Sequence, residues 1–307
     1  MTALGGGLDY IDLEFLGQPA IIATGILRGR GGLALVDPGP STTLPVLRRA
    51  LAAKGYAFGD VRAILLTHIH LDHAGATGSL MDECPDADVI VHERGTPHLV
   101  DPSRLLVSAA RLYGPDMDRL WGEVRAVPAG RIQSIGSRDR LSIVGHDVEI
   151  AWTPGHAWHH VSYFLPATGV AFVGDTAGIC RPTGRIVLPP TPPPDIDLEA
   201  WRTSTATILA WKPEVVFLTH FGPYRSPDAH FHALWDRLDD WSRRVQVLID
   251  RPGTDEDRAR AFADEITTEL QRTTSREDAL AYARAARFDF SWTGLARYWR
   301  KKASVTS

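Results

Sequence analysis

Residues 63–75 read AILLTHIHLDHAG, so an apolar run passes directly into three histidines and an aspartate within six positions. Only 12 of the 307 residues are histidine. Random placement at that frequency produces H-x-H-x-D-H with odds on the order of one in a thousand, which makes the cluster a constraint rather than decoration. The stretch VRAILLT that leads into it is short and apolar, typical of a strand buried on both faces. In an extended segment His68 and His70 point the same way and can face one metal ion. Asp72 and His73 follow where the chain enters a helix, placed to face a second ion beside the first. Imidazole and carboxylate without nearby cysteine suit Zn²⁺, Fe²⁺ or Mn²⁺ better than a thiolate-type structural site.

Three further segments carry an apolar strand into a small or turn-forming residue and then a ligand-type side chain. TPGH supplies His156, FVGDT supplies Asp175 and FLTHFGP supplies His220. Together with the first cluster they make five histidines and two aspartates, enough for two ions with open positions, the mark of catalytic metals. The segments AILLTHIH (63–70) and VVFLTHFG (215–222) are alike, as expected if two related halves each present a histidine to a shared cleft.

The strand and helix patterns alternate over the first two thirds of the chain. AIIATGILRGRGGLALVDPG reads as a hairpin, and STTLPVLRRALAAKG as a helix with Ser41 or Thr42 as its N-cap. Residues 96–125 read as mainly helical, and 132–173 return to strands. The proline-rich LPPTPPPDID at 188–197 is expected to be a stiff surface loop. A helix is expected from Leu198 to Trp211. From about 226 onward the pattern is helical throughout, with apolar residues at 231, 234, 235, 238, 241, 245 and 248 on one face. The expected division is a catalytic domain over 1–225 and a helical extension over 226–307.

Composition narrows the partners. A hydrophobic share of 44%, a charged share of 23% and a net charge of −4 exclude an electrostatic case for nucleic acid or an anionic membrane. No apolar run is long enough to span a bilayer, and the first residues lack a signal-peptide layout. Cys84 and Cys180 lie far apart and imply no disulfide framework, so a cytoplasmic protein is expected, acting on a small-molecule substrate, with a homodimer left open.

THIHLDH, TPGH, GDT and LTH, in that order, with VDPG at 36–39 before them, resemble the metallo-β-lactamase superfamily across residues 10 to 225. The resemblance implies an α/β fold, the four-layer αββα sandwich with the metals at one edge, followed here by C-terminal helices. It implies one ion on His68, His70 and His156, and another on Asp72, His73 and His220, with Asp175 bridging them. Asp37 would support a ligand or serve as a turn aspartate. Glyoxalase-type members are similar in carrying a histidine at the position of His160, which stands here as a substrate contact or a support behind the ligands. His159 is expected to be structural, and His92, His98, His146, His230 and His232 to be ordinary surface or helix-end histidines. The WRKK tail (299–302) reads as a solvated basic end.

The expected chemistry is hydrolysis by a hydroxide bridging two divalent ions, most simply Zn with Fe or Mn as alternatives, because metal binding lowers the pKa of water from ~16 to ~7. Asp72 would also orient that hydroxide, and Tyr224 would either donate to a leaving group or pack. No G-x-S-x-G elbow is present. The bond attacked is expected to be a thioester, lactone or phosphoester. Residues 176–195 and the helices at 96–121 are expected to shape an apolar pocket with Trp158, Ile179 and Leu188. The alternatives are a mononuclear iron oxygenase resembling persulfide dioxygenases, and a non-catalytic metal-binding protein of the same fold. A flavodiiron protein is a poor fit, since those carry Glu where this chain has His70.

Overall fold

The computed structural model describes residues 4–182 and 186–306, so positions 183–185 of the expected pocket segment lie outside the described residues. Two six-stranded sheets face one another. The first, in spatial order, is β1 (Leu8–Asp12), β2 (Ala23–Gly29), β3 (Gly32–Val36), β4 (Val61–Leu65), β5 (Asp88–His92) and β6 (Ile132–Ile135). The chain then builds β7 (Arg138–Ile143), β8 (His146–Trp152), β9 (Val161–Leu165) and β10 (Val170–Phe172). A two-stranded ribbon of β11 (Ile179–Cys180) and β12 (Val187–Leu188) precedes β13 (Val215–Leu218) and β14 (Gly222–Tyr224). The second sheet has the order β14-β13-β10-β9-β8-β7.

The period-two alternation of strands decides which side chains fill which layer. Ala34, Val36, Ala63 and Leu65 meet Val161, Tyr163, Phe172 and Phe217 between the sheets. Their neighbours Leu33, Leu35 and Ile64 point outward and pack under α1 (Leu44–Ala53), α2 (Leu71–Ala74), α3 (Thr77–Leu80), α4 (Thr96–Val100), α5 (Ser103–Tyr113) and α6 (Met117–Trp121). On the other side, Phe164, Val216 and Leu218 lie under α7 (Leu198–Ala210) and the start of α8 (Pro227–Ile249). Strands such as β13, Val-Val-Phe-Leu, are apolar without a break because both faces are covered. The layers are the expected αββα sandwich.

Strand direction brings the ligand segments together. β3 and β4 are parallel, as are β10 and β13, and β8 runs in the same sense as β10 across the intervening antiparallel β9. Asp37, His68, His156, Asp175 and His220 therefore all follow strands that end at one edge of the sandwich.

α8 is followed by α9 (Asp255–Thr273), α10 (Arg276–Ala286) and α11 (Phe288–Thr306). Their apolar residues Trp241, Phe262, Tyr282 and Trp292 form one core with Trp201 of α7, Ile179 of β11 and Leu188 of β12. No helix among the described residues is long and apolar enough to cross a membrane.

Two local expectations change. Ser41 and Thr42 do not cap α1; their hydroxyls donate instead to the carbonyls of Glu123 (2.5 Å) and Leu120 (2.8 Å), tying the turn to α6. The proline-rich segment is a surface loop only in its second half, where Pro192 and Pro193 are half-buried and Pro194 exposed. Pro189, Pro190 and Thr191 are buried, and the Thr191 hydroxyl donates to the Ser291 carbonyl of α11 at 3.3 Å. A stretch without hydrogen-bonding prolyl nitrogens can be covered by helices at little cost, because it has few donors to leave unsatisfied.

Arg181, just after β11, is the main polar tie between the C-terminal helices and the sandwich. Its Nε donates to Asp278 of α10 at 2.6 Å, its Nη1 donates to the Ala20 carbonyl at 3.1 Å, and its backbone N–H donates to the Tyr282 hydroxyl at 3.1 Å. The two charged side chains are only 11% and 13% exposed. Removing one partner strands a buried charge, so Asp278→Ala is expected to cost about 3–5 kcal/mol. Urea denaturation is expected to show a lower midpoint with an unchanged slope.

Candidate metal centre

Asp37 leaves β3 with φ 52° and turns its carboxylate toward the chain that follows β4. Oδ1 accepts from the Thr67 backbone N–H at 2.8 Å. Oδ2 accepts from the Thr67 hydroxyl at 2.7 Å, the Thr219 hydroxyl at 2.7 Å and His73 Nδ1–H at 2.8 Å. Thr67 and Thr219 are the threonines of the two similar Thr-His segments, so the internal echo has a structural meaning: both halves donate to one buried carboxylate.

Three ring nitrogens converge beyond it. His70 Nδ1 lies 2.9 Å from His68 Nε2 and 3.0 Å from His156 Nε2. Beside them, Asp72 Oδ2 lies 3.2 Å from His220 Nε2 and 3.9 Å from His73 Nε2. Asp175 spans the two groups. Its Oδ1 is 3.2 Å from His73 Nε2 and 3.7 Å from His220 Nε2, and its Oδ2 is 3.4 Å from His156 Nε2. The structure thus brings all seven candidate ligands into one cluster. Glycines let two of them approach: a Cβ on Gly155 would lie 2.4 Å from Trp201 Cα, and one on Gly174 would lie 2.6 Å from Thr67 Oγ1.

Outer hydrogen bonds choose the face each ring presents. Nδ1–H of His156 donates to the Pro190 carbonyl at 2.8 Å, and that of His220 to the Ile21 carbonyl at 2.7 Å. His73 is held the same way by Asp37, and His68 by the Thr67 hydroxyl at 3.2 Å. In these four the Nε2 lone pair is left to point into the cluster; His70 alone turns Nδ1 inward.

The donor set fits divalent ions. His73 Nε2 and Asp175 Oδ1 are buried without a hydrogen-bond partner although they face one another. Buried polar atoms rarely stay unpaired, and a cation between such groups satisfies both. The electrostatics agree. Burial and neighbouring imidazoles push His68 well below the usual histidine range and His70 down to about 3. Burial works against charge on His73 and His220 as well, but Asp175 and the other carboxylates raise both. Burial alone would lift Asp72, yet His73 and His220 hold it at about 2.

The structure favours the supporting role for His160 and the packing role for Tyr224, and corrects other expectations. His160 does not touch the cavity. It is fully buried behind Asp175, its Nε2 accepting from the Asp175 backbone N–H at 3.2 Å while Nδ1 faces the Thr153 hydroxyl at 3.0 Å. Its role is to hold the loop that carries Asp175. Tyr224 also lies away from the centre, its ring 4.9 Å from His230 and its hydroxyl against Cys180, because β14 turns that side chain toward α8. Trp158 packs at a tilt against Trp152 and beneath Arg94 rather than lining the pocket, and Leu188 is buried in the C-terminal core. Conversely, His159 and His98 do line the cavity, and His92 and His230 are buried, the latter donating to the Ala177 carbonyl at 2.7 Å.

Two chambers open from the cluster, one of 330 Å³ and one of 530 Å³, and Asp72 and His220 line both. Helices α4 to α6 wall the first, as expected, together with Ile179. The sequence reading missed the contribution of Ala285, Arg287 and Phe290, which reach the site from the α10–α11 junction. It also missed Tyr113, which lines both chambers; the apolar spacing of α5 offered a signal for it.

Fold and site together define a four-layer αββα protein with a paired His/Asp centre at one edge of its sheets. Residues 18–220 match the family model of the metallo-β-lactamase superfamily, and the chain belongs to that superfamily. It is 26% identical over 221 residues to a metallo-β-lactamase fold-containing protein of Sulfurisphaera tokodaii, covering 70% of this chain and 78% of that one. It is 34% identical over 155 residues to a hydroxyacylglutathione hydrolase of Synechococcus, an alignment spanning 48% of this chain and 46% of that enzyme. A metallo-β-lactamase family protein of Thermus thermophilus shares the fold with a TM-score of 0.73 at 22% identity, over 98% of this chain and 95% of that one. That likeness includes the C-terminal helices.

Asp37→Asn tests the outer support. An amide cannot accept from four donors, so His73 loses its fixed tautomer. Loss of such a partner typically weakens metal affinity 10–100-fold, on the order of the effect expected here. Chelator competition followed by metal analysis should show one of two ions released early.

Proposed function

We propose that the protein is a metal-dependent hydrolase of ester-type bonds, with thioesters as the favoured class. The observation that carries this reading is the pair of three-ligand groups joined by Asp175 at the meeting point of two chambers. The hydroxyacylglutathione hydrolases among its relatives, by their name, act on thioesters, which supports that choice of bond.

His68, His70 and His156 would hold one ion, and Asp72, His73 and His220 the other, with Asp175 between; zinc is the first ion to supply. Bound there, divalent ions supply acidity to a water molecule and polarise the carbonyl under attack. The remaining work falls to the chain. Asp72, partly open to both chambers and ionised, accepts a hydrogen bond and so aims the attacking water. The Tyr113 phenol is kept protonated by burial and by nearby Asp72, so it can donate to an oxygen of the substrate. His160 stays neutral because burial and the surrounding histidines disfavour its charge, and it fixes the Asp175 loop.

The test is a panel of thioesters, lactones, phosphodiesters and phosphotriesters, with metal content measured alongside. Thioester turnover with two divalent ions per chain is expected, lost on chelation and restored by added metal. His68→Ala and Asp175→Ala should each lose more than the roughly 10–100-fold associated with outer partners. One iron per chain with oxygen uptake and no hydrolysis would replace this reading with the oxygenase.

A further inference from the structure

The two chambers differ in chemistry. The 330 Å³ chamber is walled mainly by apolar side chains, among them Ile69, Leu105, Ala109, Leu112 and Phe290, with the exposed Arg104 as its one guanidinium not shared with the other chamber. The 530 Å³ chamber also has apolar walls, Phe15, Ile21, Ile22 and Leu120 among them, but it brings three guanidinium groups, Arg119, Arg284 and Arg287, against a single carboxylate besides the candidate ligand Asp72, namely Asp116. Arg119 is paired with Asp116 at 3.0 Å and Arg287 with Asp289 at 2.9 Å. Arg284 is exposed and has no ion pair among the described residues. Arg287 stands at the boundary of both chambers, placed there by the left-handed backbone turn (φ 43°) between α10 and α11.

A scissile bond held at the boundary the chambers share, beside Asp72 and His220, can send one of its halves into each chamber. We propose, building on the hydrolase reading above, that this site selects thioesters with an apolar acyl half of several carbons and an anionic thiol half. The acyl chain enters the α5 chamber, where burying each methylene favours binding; a two-carbon acyl group would leave most of 330 Å³ unfilled. The thiol half lies among the arginines, which also favour the negative charge that grows on sulfur as the bond breaks. In the reaction, the water oxygen joins the acyl carbon and the C–S bond breaks. Sulfur leaves with the electron pair and is protonated to the thiol, and the acyl half departs as a carboxylate plus one proton.

Two substrate series test this on the metal-loaded protein. The first varies the acyl group from acetyl through butanoyl to hexanoyl on 3-mercaptopropionate. The second compares the hexanoyl thioester of that acid with that of its neutral amide, which is nearly the same size. kcat/KM should rise roughly two- to fourfold per methylene, and the anionic thiol should be preferred about fivefold, a modest exposed-charge effect. Leu105→Trp should flatten the chain-length gradient, and Arg284→Glu should reverse the preference for charge. Non-hydrolysable thioethers of the same series, measured by calorimetry, should follow the same order in affinity. Equal values for acetyl and hexanoyl, or for acid and amide, would overturn the chamber assignment while leaving the hydrolase intact. A thioether gradient without any turnover would support the assignment and remove the thioesterase reading.

Discussion

The carboxylate of Asp37 joins what the two sheets bring to the site. It is wholly buried, and an unpaired charge there would be prohibitive. Its four donors come from Thr67 after β4, Thr219 after β13 and His73 on α2. One side chain therefore fixes the relative position of the two strand ends and the tautomer of a ligand between them. The similar Thr-His segments become intelligible in this light. Each offers a threonine hydroxyl to the shared carboxylate and sends the next residue, His68 or His220, to a different group of ligands.

The sandwich alone does not complete the site. His220 is oriented by the Ile21 carbonyl, and the adjacent Ala20 carbonyl is gripped by Arg181, which is itself anchored to Asp278 in α10. His156 is oriented by Pro190, in a segment buried beneath α11. The C-terminal helices thus act on both groups of ligands through backbone carbonyls, and also supply Arg287 and Phe290 to the cavity wall. This explains why a helical region outside the matched span of the family is packed into the same core as Trp201 and Leu188.

What was legible in the sequence was whatever local chemistry dictates. The seven candidate ligands could be read because their segments follow apolar strands, and strand direction then carries them to one edge. Roles set by long-range packing were not legible. His160 and Tyr224 have the right side chains at suggestive offsets, but the direction each faces depends on the Thr153–Thr176 pocket and on α8 respectively. The proline segment looked solvent-bound because its composition says nothing of the helices that later cover it. Tyr113 and Arg287 reach the cavity from helices whose placement no short motif encodes.

The cluster also ties stability to occupancy. Three carboxylates, Asp37, Asp72 and Asp175, are gathered around imidazoles, and the ring nitrogens of His68, His70 and His156 face one another at 2.9 to 3.0 Å across His70. Inward lone pairs repel, while the carboxylates pull protons onto His73 and His220. Without a cation the protein must therefore choose between unpaired lone pairs and buried imidazolium. Divalent ions bound there would remove the conflict by taking the lone pairs and displacing the protons, and affinity for them would then fall as protons become abundant. Free energy released on binding the folded chain is added to its stability. The same gathering of buried imidazoles and carboxylates that suits divalent ions makes the folded centre costly to maintain without them.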